Sequence, residues 1–81
     1  MISAEQIKAS RALLGWSAAE LANRSTVGAT TLRRYEMLGG VPAANLSVLM
    51  KLKATLESAG IEFTGNPLVN PGVTLLIKRG D

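Results

Sequence analysis

The sequence is constrained above all by helix start and stop signals that recur along its N-terminal half. Ser3 is followed three residues later by Gln6, and Ser17 by Glu20, which is the spacing of a capping box. Ile2 and Ile7 stand where a hydrophobic staple would put them, and Gly15 and Gly39-Gly40 fall where helices end. These signals predict a first helix from Ala4 to Leu14, a short second one ending near Arg24, and a third from Ala29 to Met37. Isolated helices shorter than about 12–15 residues are marginal in water, so the three must be stabilised by packing on one another. Leu21 and Ala22, Val27, and Leu32 with Tyr35 supply the inward faces. Ile7, Arg11 and Leu14 share one face of the first helix, so a positive charge sits within an apolar stripe and needs a partner.

The rest of the chain changes character twice. Pro42 marks a loop, and Asn45 is the expected cap of a fourth, longer helix with the stripe Leu46, Leu49, Leu52, Leu56 and Ala59, closed by Gly60. Ile61-Glu62-Phe63-Thr64 then alternates apolar and polar residues as a half-buried strand does. A turn-rich GNPLVNPG follows, and Val73 to Ile77 reads as a second strand before Lys78-Arg79-Gly80-Asp81. The expected fold is mainly α, four helices with a C-terminal β-hairpin, with residues 1–60 as the helical part and 61–81 as a hairpin and dimerisation element of the same domain. The apolar loop Met37-Leu38-Gly39-Gly40-Val41 is expected to be buried against the last helix or the hairpin, with a subunit contact as the alternative.

Composition narrows the function classes. With 81 residues the chain is one small domain, which buries only about 60–65% of its unfolded surface and needs a further stabiliser. It contains no cysteine and no histidine, which removes disulfides, thiolate metal sites, thiol catalysis and the commonest general base. A homodimer is therefore the expected stabiliser, and no cofactor and no metal are expected. The few carboxylates are scattered or explained by caps, so no catalytic constellation is expected and the chain is not read as an enzyme. No apolar run approaches the ~18 residues of a membrane span, and the start lacks the order of a signal peptide. The expected location is the cytoplasm.

The segment SAAELANRSTVGATTLRRYE at residues 17 to 36 carries the functional signal. A helix laid in the major groove of DNA and braced by a helix before it needs a small residue where the two approach, here Ala22. It also needs an apolar plug after the turn, here Val27, and apolar residues facing back, here Leu32 and Tyr35. Ser17, Glu20-Leu21-Ala22, Thr26-Val27, Thr31-Leu32 and Glu36 together resemble the helix-turn-helix of the Cro and phage-repressor (XRE) family, and the resemblance extends over about residues 4 to 59.

That resemblance implies a lambda-repressor-like fold and a transcriptional regulator, in particular a repressor, binding a near-palindromic double-stranded DNA operator as a homodimer. It implies base reading by Ala29, Thr30 and Arg34, and phosphate contacts from Ser17, Ala18, Arg24, Thr31 and Arg33. Lys8 is a weaker addition to the phosphate set. Arg11 and Glu36 are implied to form an ion pair behind the DNA-binding surface. The sequence departs from the family at Ala18, where glutamine is usual, at Thr26, where the turn glycine is usual, and at Gly28, where the helix cap is Ser or Thr. Thr26 is the costly departure, because a left-handed backbone disfavours a β-branched residue. The rival expectation is a protein-interaction module, antitoxin-like or a co-regulator, using the same fold.

Overall fold

The computed structural model describes residues 1–41 and 46–77. Four helices, α1 (Ala4–Leu14), α2 (Ala18–Ser25), α3 (Ala29–Leu38) and α4 (Leu46–Ser58), precede two strands, β1 (Ile61–Thr64) and β2 (Gly72–Leu75). The chain is thus mainly helical with a small antiparallel sheet, as the sequence pattern predicts. The expectations at Pro42, Asn45 and residues 78–81 lie outside the described residues.

Each helix starts and stops for a local reason. The Ser3 hydroxyl accepts from the Gln6 N–H while the Gln6 side chain accepts from the Ser3 N–H, so the predicted capping box forms in full at α1. Gly15, at φ 71, ends α1 in the left-handed conformation that suits a residue without a side chain. At α2 only half of the second box forms. The Ser17 hydroxyl accepts from the Glu20 N–H, but the Glu20 carboxylate is drawn away to Arg24 at 2.6 Å. Thr26 closes α2 at φ 59 and is the one non-glycine residue with positive φ among those described. Its hydroxyl donates to the Ser25 carbonyl at 2.6 Å, which partly offsets a backbone strain of about 1–2 kcal/mol. α3 runs one residue beyond its predicted end and stops at Gly39.

The helices enclose one core. Ile2, Ile7, Leu21, Leu32, Leu52 and Leu56 are its largest fully buried apolar side chains, joined by Val27, Tyr35, Leu49 and Ile61. α3 packs on α1 and α2, and α4 packs on α2 and β1. Leu46 departs from the predicted α4 stripe and is 59% exposed. At 3.6 residues per turn it lies roughly 90° around the helix from the Leu49–Leu52–Leu56 face, where it borders Met1 and Met50 instead.

The hairpin pairs Ile61 with Leu75, Glu62 with Thr74, Phe63 with Val73 and Thr64 with Gly72. Gly65 sits at φ 72 against the Asn70 carbonyl, where a side chain would not fit. The second strand ends at Leu75 rather than Ile77. Leu76 still donates to the Gly60 carbonyl at 2.7 Å, but Ile77 lies exposed beyond the ladder. An isolated two-stranded hairpin is marginal in water. Gln6 supplies a tether, because its buried amide donates to the carbonyls of Thr64 at 3.3 Å and Gly72 at 3.0 Å. One side chain therefore caps α1 and holds the sheet to it.

The loop after α3 is fastened to the start of α1. The Ala4 N–H donates to the Gly40 carbonyl at 2.7 Å, and the Gly40 N–H donates to the Glu5 carboxylate at 3.1 and 3.2 Å. Hydrogen bonds from its own N–H and from Gly40, helped by Lys8, hold the Glu5 carboxyl below its ordinary value of 4.5. A depressed carboxyl contributes stability that is present above the unfolded value and lost as pH falls through the folded one. The urea midpoint of the wild type should therefore fall between about pH 5 and pH 3 more steeply than that of Glu5→Gln. Equal pH slopes for the two proteins would show that the Glu5 contact carries no weight.

Candidate nucleic-acid interface

α2 and α3 are joined by Thr26, Val27 and Gly28, and the turn is set by apolar packing rather than by a glycine. Val27 is buried and donates to the Ala22 carbonyl at 3.1 Å, so it acts as the plug its position predicts. Ala22 is buried where α2 meets its neighbours, and Leu32 and Tyr35 turn α3 toward the core. The opposite side of α3 is left to solvent.

What fixes α3 in place is a two-pronged ion pair. The Arg11 Nε donates to Glu36 Oε2 at 2.8 Å and its Nη2 to Oε1 at 2.6 Å, while Nη1 donates to the Trp16 carbonyl at 3.0 Å. A charge set among Ile7 and Leu14 on α1 thus meets its partner on α3 and also ties down the α1–α2 connection. The Arg11 and Glu36 side chains are only 20% and 9% exposed. The hydrogen bonds and charge of Glu36 outweigh desolvation and raise the Arg11 pKa above its ordinary value. Bidentate arginine–carboxylate geometry fixes orientation as well as distance, so the pair acts as a brace.

The exposed residues of α3 form one stripe. Thr30, Arg33, Arg34 and Met37 recur at helical spacing and are all exposed, with Leu38 beside them. Thr30, Arg33, Arg34, Met37 and Leu38 line one shallow depression, and Lys8, Ala18, Arg33 and Met37 line a second, next to the brace. Arg33 borders both, leaning toward α2, whereas Arg34 and Thr30 belong to the first alone. At the start of α2 the N–H groups of Ala18 and Ala19 have no intrahelical partner, as in any α-helix, and Ser17 is exposed beside them.

The remaining expected contacts fall elsewhere. Ala29 is half-buried against the core, which withdraws most of its side chain from any ligand, and Thr31 is half-buried at the edge of the stripe. Arg24 is 52% exposed but is committed to Glu20 and to the face of Trp16, with its guanidinium carbon 4.4 Å from the ring centroid. It borders Thr55, Ser58 and Ala59 at the end of α4, in a depression separate from that of Arg33. Lys8 is exposed and lines the second depression with Ala18 and Arg33. Burial of the apolar loop is the expectation, and the structure overturns it at Met37 and Leu38, while Val41 is half-buried. Met37 is 86% and Leu38 72% exposed, because Gly40 is pinned to α1 while the last turn of α3 points outward.

Among the described residues no group of His, Cys, Asp or Glu side chains stands together as metal ligands would, and no helix is long and apolar enough to cross a membrane. No family model, no curated protein and no solved structure matches the chain.

Removing one partner of a buried pair strands the other charge at a cost of about 3–5 kcal/mol, and the partial exposure of Arg11 lowers this. Glu36→Gln should therefore destabilise the fold by about 2–4 kcal/mol in urea unfolding, and Arg11→Met with Glu36→Leu should recover most of the loss. A Glu36→Gln effect under about 0.5 kcal/mol, the range of an exposed pair, would contradict the brace.

Proposed function

We propose that this chain is a sequence-specific double-stranded DNA-binding regulator with a lambda-repressor-like helix-turn-helix, in which α3 enters the major groove and α2 crosses the backbone. The observation that carries this reading is the exposed stripe of Thr30, Arg33 and Arg34 on a helix whose other side is locked by Arg11 and Glu36. A reading helix must keep its orientation while charged phosphates pull on it, and a bidentate pair behind it serves that purpose.

In this arrangement the Arg34 guanidinium donates two hydrogen bonds to guanine O6 and N7, and Thr30 stands beside it. Arg33 and Lys8, with the free N–H groups of Ala18 and Ala19, take the flanking phosphates. Thr31 is a lesser contact, while Arg24 and Ala29 have no direct part. One such unit touches few base pairs, so two copies acting on a near-palindromic operator supply the affinity, and repression follows from occupying that operator. The exposed apolar residues Met1, Leu46 and Met50, and Leu68, Val69, Leu76 and Ile77 of the hairpin region, offer surface for the second copy away from the α3 stripe. The proposed setting is the cytoplasm.

A second reading has one specific observation in its favour. Met37 and Leu38 are apolar and exposed beside two arginines, which also suits a protein partner with acidic and apolar side chains.

Selection from a random duplex pool, followed by titration at about 50 and 200 mM salt, separates the two. With about four cationic phosphate contacts per dimer, Lys8 and Arg33 from each copy, affinity should fall roughly 100-fold over that range. Arg34→Ala should relax a single base position in each half-site, while Arg33→Ala should weaken all sites alike and reduce the salt slope by about two, one for each copy. Failure to enrich any duplex would favour the protein-interaction module. Equal losses on every sequence for both variants would overturn the division of roles.

A further inference from the structure

The last turn of α3 exposes an apolar side chain at the C-terminal end of the stripe formed by Thr30, Arg33 and Arg34, with Leu38 beside it. Counting about 100° per residue, Met37 lies roughly 140° around the helix from the buried Leu32 and between the directions of Arg33 and Arg34. Thr30, Arg33, Arg34 and Met37 stand at i, i+3, i+4 and i+7, which is the set a helix presents when it lies along a groove. Met37 is 86% exposed and lines both depressions of the candidate interface. The chain gains nothing in its own core from it.

We propose that Met37 is a base-reading residue whose side chain packs against the C5-methyl group of a thymine close to the guanine engaged by Arg34. This rests on the DNA-binding reading above and names a further element of its specificity. The arginines on either side make a polyanion the complementary partner. Among the base edges that a duplex displays in its major groove, the thymine methyl is the apolar one. Met37 lies ~4.5 Å along the helix axis from Arg34 and ~6 Å from Arg33, at ~1.5 Å per residue. Successive bases are ~3.4 Å apart, so the thymine falls one or two base pairs from the guanine. A flexible thioether tolerates small errors in that placement, and a methionine fills irregular apolar gaps.

The test uses the full chain and the duplex it selects. Deoxyuridine has the hydrogen-bonding edge of thymidine without the methyl, so replacing one thymine at a time isolates that group. One thymine, one or two base pairs from the guanine lost as a preference in Arg34→Ala, should weaken wild-type binding about fourfold when replaced, as expected for one buried methyl-sized contact. Met37→Ala and Met37→Gln should bind the thymine duplex more weakly by a similar factor and no longer distinguish it from the deoxyuridine duplex. Both variants should keep the wild-type urea midpoint, since the side chain lies outside the core.

A selected site with no fixed thymine at that distance overturns the assignment. So does a deoxyuridine penalty that persists in both Met37 variants, or one that is absent from the wild type. Failure of the wild type to select any duplex is a different result, because it removes the DNA-binding reading itself. Selection of a site on which Met37 has no effect leaves that reading intact and removes only the methyl contact.

Discussion

The arrangement depends first on the fork between Arg11 and Glu36. Each partner sits on a helix too short to hold its orientation by itself, and each would be costly to leave unpaired where it stands. Together they fix α3 against α1, and the third arginine bond, to the Trp16 carbonyl, fixes the connection into α2. Near the other end of α1, Ala4 and Glu5 hold Gly40, so the chain leaving α3 is fastened as well. A helix anchored at two places on α1 can offer its outer face to a ligand without tilting. Rigid elements position functional groups more closely than loops do, and the proposed reading role of this short helix requires that.

Much of this was legible in the sequence, and for local reasons. The Ser3–Gln6 pair, Gly15, Val27 and the alternation from Ile61 each report on their immediate neighbours, and the structure follows them within a residue or two. The partnering of Arg11 was legible as a need, since a cation within an apolar stripe must be answered. That Glu36 answers it came from the resemblance to phage repressors, because spacing along one chain does not identify a contact between two helices.

What was not legible depends on direction around a helix and on competition between partners. Leu46 fits the α4 periodicity by count, yet it lies off the buried face because successive steps of three and four do not stay in line. Met37 and Leu38 look like core residues by composition, and only the pinning of Gly40 shows that the last turn of α3 faces out. Glu20 and Arg24 looked like a cap and a phosphate ligand, but they satisfy each other, and Arg24 covers Trp16. The double use of Gln6 had no sequence signal beyond the cap, because its second role needs the hairpin to fold back on α1. In each case a residue type was right and its partner was decided by tertiary contact.

The central claim is that the face formed by α3 and the start of α2 meets DNA. The most direct measurement is a backbone amide NMR titration of the full chain with its selected duplex. The amides of Ala18, Ala19, Thr30, Arg33, Arg34 and Met37 should shift most, with α1 residues behind the brace changing little. Shifts concentrated on α4 and the hairpin tip, around Met50 and Leu68, would contradict the account, as would a spectrum that the duplex leaves unchanged.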